Sequence, residues 1–342
     1  PTIALKSELK SGPSRPREGD SQRRRTAWLN GFGQFRTTID GLNFHFLHIR
    51  SKETGALPLL MTHGWPGSVI EFNKVIGPLV DPVAHGGDAR DAFHLVLPSL
   101  PGYGFSEKPA SKGWNVSRIA RAWVTLMGRL GYERYVAQGG DWGSAVTTEL
   151  AIQRPSECLA IHLNLAIVHP TEEQRRDPTP AESEALKAMA DLQRDGTGYL
   201  AIQATRPQTV GYGLVDSPAA QAAWIYDKYH AWIDHQNGPE DVLSLDDMLD
   251  NIMMYWLPAT GASSARLYWE CIATAFEQRI VEMPVGISVF PKELLRPSRR
   301  WADGIYKNVI HWNELDRGGH FAAFEQPELF VDELRTCFRS LR

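Results

Sequence analysis

The chain has 342 residues, of which 43% are hydrophobic and 22% are charged. This length and composition suit one large α/β domain with an insertion, or two domains, and they exclude a globally disordered chain. The net charge of −4 gives no reason to expect a nucleic acid or a membrane surface as partner. No apolar run reaches the 18 residues that a membrane-spanning helix needs.

The three cysteines, Cys158, Cys271 and Cys337, lie far apart in the chain. No CxxC or Cys/His spacing accompanies them, so that neither a zinc site nor a disulfide framework is indicated. We therefore expect reduced core cysteines in a cytoplasmic protein. We also expect a protein that uses neither a metal nor an organic cofactor.

Residues 1–25 differ from the rest of the chain. They contain seven basic and three acidic residues, and Pro, Ser and Gly interrupt any periodicity. Aromatic residues, which a nucleic-acid surface would place between the basic ones, are missing here. This composition predicts a poorly ordered basic arm.

Strand-like runs and helical runs alternate from residue 35 to residue 165. Asp40-Gly41 predicts a tight hairpin between strands at 35–39 and 43–50. Apolar positions at helical spacing predict an amphipathic helix over 116–130. The alternation predicts a mostly parallel sheet with helices on both faces. Its buried strands are predicted at 57–62, 93–97, 135–137 and 159–165.

From residue 169 to residue 269 the pattern becomes helical, with many aromatic residues and no buried-strand signal. We interpret this segment as a helical lid that is inserted into a core formed by residues 26–168 and 270–342. Strands resume at 285–290 and 308–312, and a final helix is predicted over 327–341.

The most informative motif is Gly139-Gly140-Asp141-Trp142-Gly143, between an apolar run and a helix-compatible run. Small residues around a central side chain, between a strand and a helix, are typical of the nucleophile elbow of hydrolases. Asp141 stands where serine is usual. A carboxylate can displace a leaving group at a saturated carbon, which produces an enzyme ester that water must then hydrolyse.

Hydrolysis of such an ester needs a base, and in this arrangement an acid and then a histidine follow the nucleophile along the chain. His320, in the glycine-flanked loop after the last predicted strand, is the predicted base. Glu293, after the strand at 285–290, is the favoured acid by position. Four other carboxylates remain open as alternatives: Glu282, Asp303, Glu314 and Asp316.

Ester hydrolysis passes through an oxyanion, which two backbone N–H groups usually stabilise. One belongs to the residue after the nucleophile and the other to a loop after an earlier strand. These positions correspond to Trp142 and to Trp65, in His63-Gly64-Trp65-Pro66. We expect the His63 side chain to brace this loop rather than to take part in catalysis.

Four segments carry a family resemblance, at residues 63–68, 139–144, 209–218 and 318–325. Together they resemble the microsomal-type epoxide hydrolases, which have the α/β-hydrolase fold. The likeness extends from about residue 25 to the C-terminus. It implies an epoxide and water as substrates and a vicinal diol as product. The many aromatic residues of the lid suggest that the epoxide is apolar. Detoxification and biosynthesis both stay open as roles. It leaves the oligomeric state open, a homodimer included.

The resemblance also assigns residues that the pattern alone does not select. Two lid tyrosines hold the epoxide oxygen in that family, and they match Tyr199 and Tyr268. The family acid, a glutamate after a Phe-Pro step, matches Glu293. Phenols suit this task because they donate a hydrogen bond without being charged at rest.

Two other functions compete with this interpretation. A haloalkane dehalogenase would also use Asp141, His320 and a tryptophan at position 142, but it needs halide donors and not the paired tyrosines. A non-catalytic ligand-binding protein on the same fold would have lost Asp141 or His320, and both are present. A serine esterase is disfavoured because the chain contains no Gly-x-Ser-x-Gly elbow.

Overall fold

The computed structural model describes residues 29–274 and 277–342, so the predicted basic arm at 1–25 lies outside the described residues. An eight-stranded sheet has the order β1-β2-β4-β3-β5-β6-β7-β8. β1 pairs with β2, and β2 with β4, in antiparallel fashion, while the other neighbours are parallel. The strands are β1 (Gln34–Ile39), β2 (Leu42–Ile49), β3 (Leu57–Thr62), β4 (Phe93–Pro98), β5 (Tyr135–Gly139), β6 (Cys158–Leu163), β7 (Val285–Val289) and β8 (Val309–Glu314).

The central strands are buried along almost their whole length, as expected for a parallel sheet that is covered on both faces. β8 lies at the edge and is only partly covered. The helices of the body are α1 (Asn73–Val80), α2 (Val116–Arg129), α3 (Trp142–Gln153), α11 (Arg299–Ala302), α12 (Ala322–Glu325) and α13 (Pro327–Phe338). This is the α/β-hydrolase fold that the sequence predicts.

Several predicted boundaries shift by a few residues. β6 ends at Leu163 and not at residue 165, because the chain turns there: the Asn164 side chain accepts from Gln138, and the carbonyl of Leu165 accepts from Ser144. α2 begins at Val116 because the Asn115 side chain accepts a hydrogen bond from the backbone N–H of Arg118 at 3.0 Å.

Between β6 and β7 the described residues form helices and loops above the sheet. Thr171 and Thr179 each form a capping box, and the first two helices of this segment therefore begin at Glu172 and Pro180. Among the described residues, no helix is long and apolar enough to cross a membrane. The helices of this lid are α4 (Glu172–Arg176), α5 (Pro180–Asp191), α6 (Gly198–Thr205), α7 (Pro207–Asp216), α8 (Pro218–Trp232), α9 (Leu245–Trp256) and α10 (Gly261–Cys271).

The lid is bonded to loops at the carboxyl ends of the strands. The Tyr255 hydroxyl donates to the Gly67 carbonyl at 2.6 Å, and the Asn251 amide donates to the Pro66 carbonyl at 2.7 Å. On the other side, the backbone N–H of His320 donates to the carbonyl of Trp232 at 3.0 Å. These bonds position the lid over the strand ends, where the predicted site residues lie.

Candidate active site

Asp141 occupies the turn between β5 and α3. Its backbone is left-handed, with φ of 50° and ψ of −126°, which is uncommon for a residue other than glycine. Such strain persists only where the surroundings impose it, and it is frequent at functional sites. A Cβ atom at Gly143 would overlap the carbonyl of Thr62, so only glycine lets the turn pack this closely against β3.

One carboxylate oxygen of Asp141 is held by the loop after β3. The backbone N–H of Trp65 donates to Asp141 Oδ1 at 2.7 Å. A Cβ at Gly64 would overlap the Asp141 side chain, which explains the glycine beside it. Trp142 is the first residue of α3, and N–H groups in the first turn of a helix lack an intrahelical partner. Two backbone donors therefore flank Asp141.

The other carboxylate oxygen faces His320. The distance from Asp141 Oδ2 to His320 Nε2 is 3.5 Å, and His320 Nδ1 lies 2.6 Å from Glu293 Oε1. All three side chains are largely buried. Burial disfavours the imidazolium, but the negative charges of Glu293 and Asp141 outweigh it and raise the pKa of His320 well above its usual value of 6.5.

The geometry separates Glu293 from the four alternative acids. Glu282 pairs with Arg154, and Asp303 pairs with Arg299 at 2.7 Å. Glu314 accepts from the indole of Trp312, and Asp316 lies 3.5 Å from Arg317. Among the five carboxylates, Glu293 is the one that the structure brings to the imidazole of His320.

Tyr199 on α6 and Tyr268 on α10 stand over this triad. Their ring centroids are 5.9 Å apart and nearly perpendicular. Tyr199 stacks on Trp65 at 5.1 Å, and Tyr268 packs edge-on against Trp142 at 4.8 Å. The tyrosine rings thus contact the two residues whose N–H groups flank Asp141.

Neither phenol ionises at neutral pH in this environment. Burial, followed by the charge of Asp141, raises the pKa of Tyr199 above its usual value of 10. Burial also raises the pKa of Tyr268, and its hydroxyl makes no hydrogen bond of normal geometry with any described residue. Both groups are therefore O–H donors next to the carboxylate.

In the described part of the chain, His63 and the other lid tyrosines have no contact with the triad that would give them a catalytic role. Leu100 N–H donates to His63 Nε2 at 3.2 Å, which leaves Nδ1 to donate to the Gly64 carbonyl at 2.9 Å. His63 therefore braces the loop that carries Trp65. Among other lid tyrosines, Tyr229 accepts from Asn251, whereas Tyr212 is 67% exposed.

Two residues beside the triad had no assigned role in the sequence analysis. Trp232 packs edge-on against His320 at 4.9 Å and against Tyr199 at 5.2 Å. Glu325 accepts hydrogen bonds from the backbone N–H groups of Asp234, Gly319 and Phe321. No local pattern distinguishes this tryptophan from others in the lid, whereas Glu325 lies within the motif of the His320 loop.

Comparison with known proteins identifies the same family. The sequence profile described as "Epoxide hydrolase N terminus" matches residues 20–72, and the profile described as "alpha/beta hydrolase fold" matches residues 58–215. A putative epoxide hydrolase from Stigmatella aurantiaca is 58% identical over 94% of this chain and 73% of its own length. Epoxide hydrolase 1 from Sus scrofa is 39% identical over 92% of this chain and 75% of its own length.

Solved structures agree with the sequence relatives. Juvenile hormone epoxide hydrolase from the silkworm Bombyx mori has a TM-score of 0.85 at 32% identity, covering 93% of this chain and 82% of that one. Epoxide hydrolase from Aspergillus niger has a TM-score of 0.82 at 34% identity, covering 95% and 82%. On the evidence of its fold, its relatives and its structural neighbours, the chain belongs to the microsomal-type epoxide hydrolases.

Proposed function

We propose that this epoxide hydrolase works through a covalent ester on Asp141, which His320 then hydrolyses with the help of Glu293. The observation that carries the proposal is that the two carboxylate oxygens of Asp141 have different partners. Oδ1 accepts from the Trp65 N–H at 2.7 Å, while Oδ2 faces His320 at 3.5 Å. A carboxylate held in this way has one oxygen committed to a backbone donor and one available for attack.

In the first half-reaction Oδ2 attacks an epoxide carbon. A bond forms between Oδ2 and that carbon while the bond from carbon to the epoxide oxygen breaks. The hydroxyls of Tyr199 and Tyr268 donate to the epoxide oxygen, so that negative charge is stabilised as it develops. Protonated His320 supplies the proton that converts the alkoxide to a hydroxyl.

Formation of the ester changes the state of His320. The charge of Asp141, which helps to raise the pKa of His320, disappears when its carboxylate is esterified. The imidazole that has just given up its proton can therefore act as a base, oriented by Glu293. It takes a proton from water as the water oxygen attacks Cγ of the ester.

The tetrahedral intermediate places its negative charge on Oδ1. The N–H groups of Trp65 and Trp142 stabilise this oxyanion. When the bond between Cγ and Oδ2 breaks, His320 gives Oδ2 the proton that it took from water, and the diol leaves with Oδ2 as one of its oxygens. The proton of the newly formed carboxyl group then passes to His320. The free enzyme is restored with an oxygen from water in Asp141.

We also propose that the substrate is an apolar epoxide. Aromatic rings surround the tyrosines and the triad, contributed by Trp65, Trp142 and Trp232. All three tryptophans are buried, and an apolar wall with a few polar groups is typical of small-molecule sites.

A single turnover in heavy-oxygen water tests the mechanism. With enzyme in excess, the label is expected in a peptide that contains Asp141, while the first diol remains largely unlabelled. A second incubation with substrate in excess serves as control, because later turnovers should release the label into diol. Label in the diol of the first turnover would mean direct attack by water and would rule out the ester.

A further inference from the structure

A small cavity with polar and apolar walls lies beside residues that are close to Asp141 and His320 in the chain. Its volume is about 10 Å³, close to the space that one buried water needs. Gly140, which precedes Asp141, lines it, as does Ala322, two residues after His320. The side chain of Glu71, a residue without a role in the mechanism above, contributes to the wall.

The wall contains polar atoms that the protein itself leaves without partners. Among the described residues, Thr62 Oγ1 and Gln138 Oε1 are buried and have no hydrogen-bond partner. The amide of Gln138 donates to Asn164 Oδ1 at 2.8 Å, which fixes the orientation of its side chain. A buried polar atom without a partner costs about 1–3 kcal/mol, so this wall favours an occupant that both donates and accepts hydrogen bonds.

Glu71 follows the loop that carries Trp65, and its carboxyl group lies against the backbone of Gly67. A Cβ atom at Gly67 would overlap Glu71 Oε2, so glycine is needed for the carboxyl group to lie there. Burial raises the pKa of Glu71 to about 8. At neutral pH the group is therefore an uncharged acid, with one O–H donor and a carbonyl acceptor.

We propose that Glu71 is a positioning residue for the second half-reaction, and that it holds in this cavity the water that attacks the Asp141 ester. The inference rests on the two-step mechanism proposed above. One proton passes from the water to Nε2 of His320, and the water oxygen bonds to Cγ of Asp141. Glu71 keeps its own proton throughout and only orients the water.

The neutral form suits this role because of the charges around it. An ionised Glu71 would add negative charge beside the ester carbonyl just as an oxyanion forms there. The titratable groups that face Glu71 are the body residues His63, Asp141, Glu293, His320 and Glu325 and the lid residues Tyr229 and Tyr255.

Two substitutions of Glu71 separate positioning from a structural role. Rapid-quench mass spectrometry of the intact protein measures formation and decay of the Asp141 adduct as separate rates. We expect Glu71→Ala to slow decay of the adduct by about 10- to 100-fold, because the base would then act on a water that is no longer aligned. Formation of the adduct should stay within about twofold of the parent rate. Glu71→Gln should keep most of the decay rate at pH 7, because an amide also has a donor and an acceptor.

The pH profile gives a readout that packing alone would not change. In the parent enzyme the decay rate should fall by about tenfold per pH unit above the pKa of Glu71, about 8. Glu71→Gln should lack this fall, because its amide does not ionise. Glu328→Gln, at an exposed position on α13, is the matched control and should retain the profile of the parent.

Equal slowing of both half-reactions by Glu71→Ala, or parent-like decay in that variant, would overturn the proposal. If Glu71→Ala does not fold, the profile of Glu71→Gln decides: an alkaline fall that persists there contradicts a role for Glu71. Failure of the underlying mechanism has a different signature, since the parent itself would then form no adduct on Asp141.

Discussion

The body half and the lid half of the active site are held in place by different forces. In the body, backbone turns and hydrogen bonds position the groups: Asp141 sits on a strained turn, and Glu293 Oε1 lies 2.6 Å from His320. In the lid, Tyr199 and Tyr268 are positioned by ring packing against Trp65 and Trp142. Backbone turns and hydrogen bonds fix the first half, and ring packing fixes the second.

In the proposed mechanism, this difference corresponds to a difference in chemical task. Formation and hydrolysis of an ester need a fixed nucleophile, base and oxyanion donors, which rigid strand ends provide. Activation of the epoxide needs two donors that meet a substrate oxygen, which the lid tyrosines Tyr199 and Tyr268 would supply. We therefore expect changes in the body to abolish steps and changes in the lid to slow one of them.

The largest effect is expected for Asp141→Ala in the body. Loss of the nucleophile removes the ester route, so turnover should fall by at least about 10⁴-fold, on the scale of nucleophile removal in other hydrolases. Intact-protein mass spectrometry should show no adduct, and a melting curve should show that the variant folds. Retention of more than about 1% of the parent turnover would mean that another group attacks the epoxide.

His320→Gln should separate formation of the ester from its hydrolysis. Steady-state turnover should fall by about 10⁴-fold, because the ester lacks the base that activates water. Formation of the adduct should stay within about tenfold of the parent, since Asp141 and the lid tyrosines remain. An adduct equal to the substrate mass should then accumulate and persist for hours. Normal release of diol by this variant would assign the base to a different residue.

The two halves also differed in how far the sequence predicted them. The elbow at Asp141, the Trp65 loop and the His320 loop are local patterns, because each depends on a few neighbouring residues and a sharp turn. The acid was harder to select, since a carboxylate on a loop has no local signature: position and family resemblance favoured Glu293 but left four other carboxylates open. The fold brings Glu293 Oε1 to 2.6 Å from His320 Nδ1.

The lid residues could not be selected from the sequence alone. Tyr199 and Tyr268 were chosen through family resemblance, because their meeting depends on how α6 and α10 pack over the body. The same limit explains why the sequence analysis assigned no role to Glu71 or Trp232. The position of Glu71 depends on the space beside Gly67, and that of Trp232 depends on the end of α8 reaching the His320 loop.

Loss of the hydroxyl groups of the lid tyrosines should give the next largest effect. It tests whether the packed rings, without their donors, still support opening of the epoxide. Tyr199→Phe and Tyr268→Phe keep the rings that contact the tryptophans and remove only the donors. Each change should slow adduct formation by about 10²-fold, on the scale of one well-placed donor. The double variant should be nearly inactive, though less than additively, because both donors serve one oxygen.

Tyr212→Phe is the matched control, since Tyr212 is a lid tyrosine that is 67% exposed. It should open epoxides at the parent rate. Substrate affinity should change less than the rate in all three single variants, because the donors act on charge that develops in the transition state. If the double variant formed the adduct at the parent rate, the lid tyrosines would have no part in opening the epoxide.

The smallest effect on turnover is expected where the two halves join, at Glu325. Its carboxylate accepts from the N–H of Asp234, just after lid helix α8, at 2.9 Å. It also accepts from Gly319 at 2.9 Å and Phe321 at 2.8 Å, on either side of His320. In Glu325→Gln the amide NH₂ would face at least one of these donors. Turnover should fall by about threefold to tenfold, and the unfolding free energy by about 1–3 kcal/mol, as for a buried donor that loses its partner.

The pH dependence of this loss follows from the carboxyl group itself. Burial raises the pKa of Glu325 to about 7, against the opposing effect of its three N–H donors. The folded state then binds more protons than the unfolded state between the usual carboxyl pKa, 4.5, and about 7. The stability from this proton uptake is fully present below 4.5 and is lost as the pH rises through 7. Glu325→Gln cannot titrate, so its deficit against the parent in urea unfolding should be larger at pH 5 than at pH 8. A deficit that grew with pH would show that the three N–H donors, and not burial, control this carboxylate, and that the joint between lid and body is held by its charge.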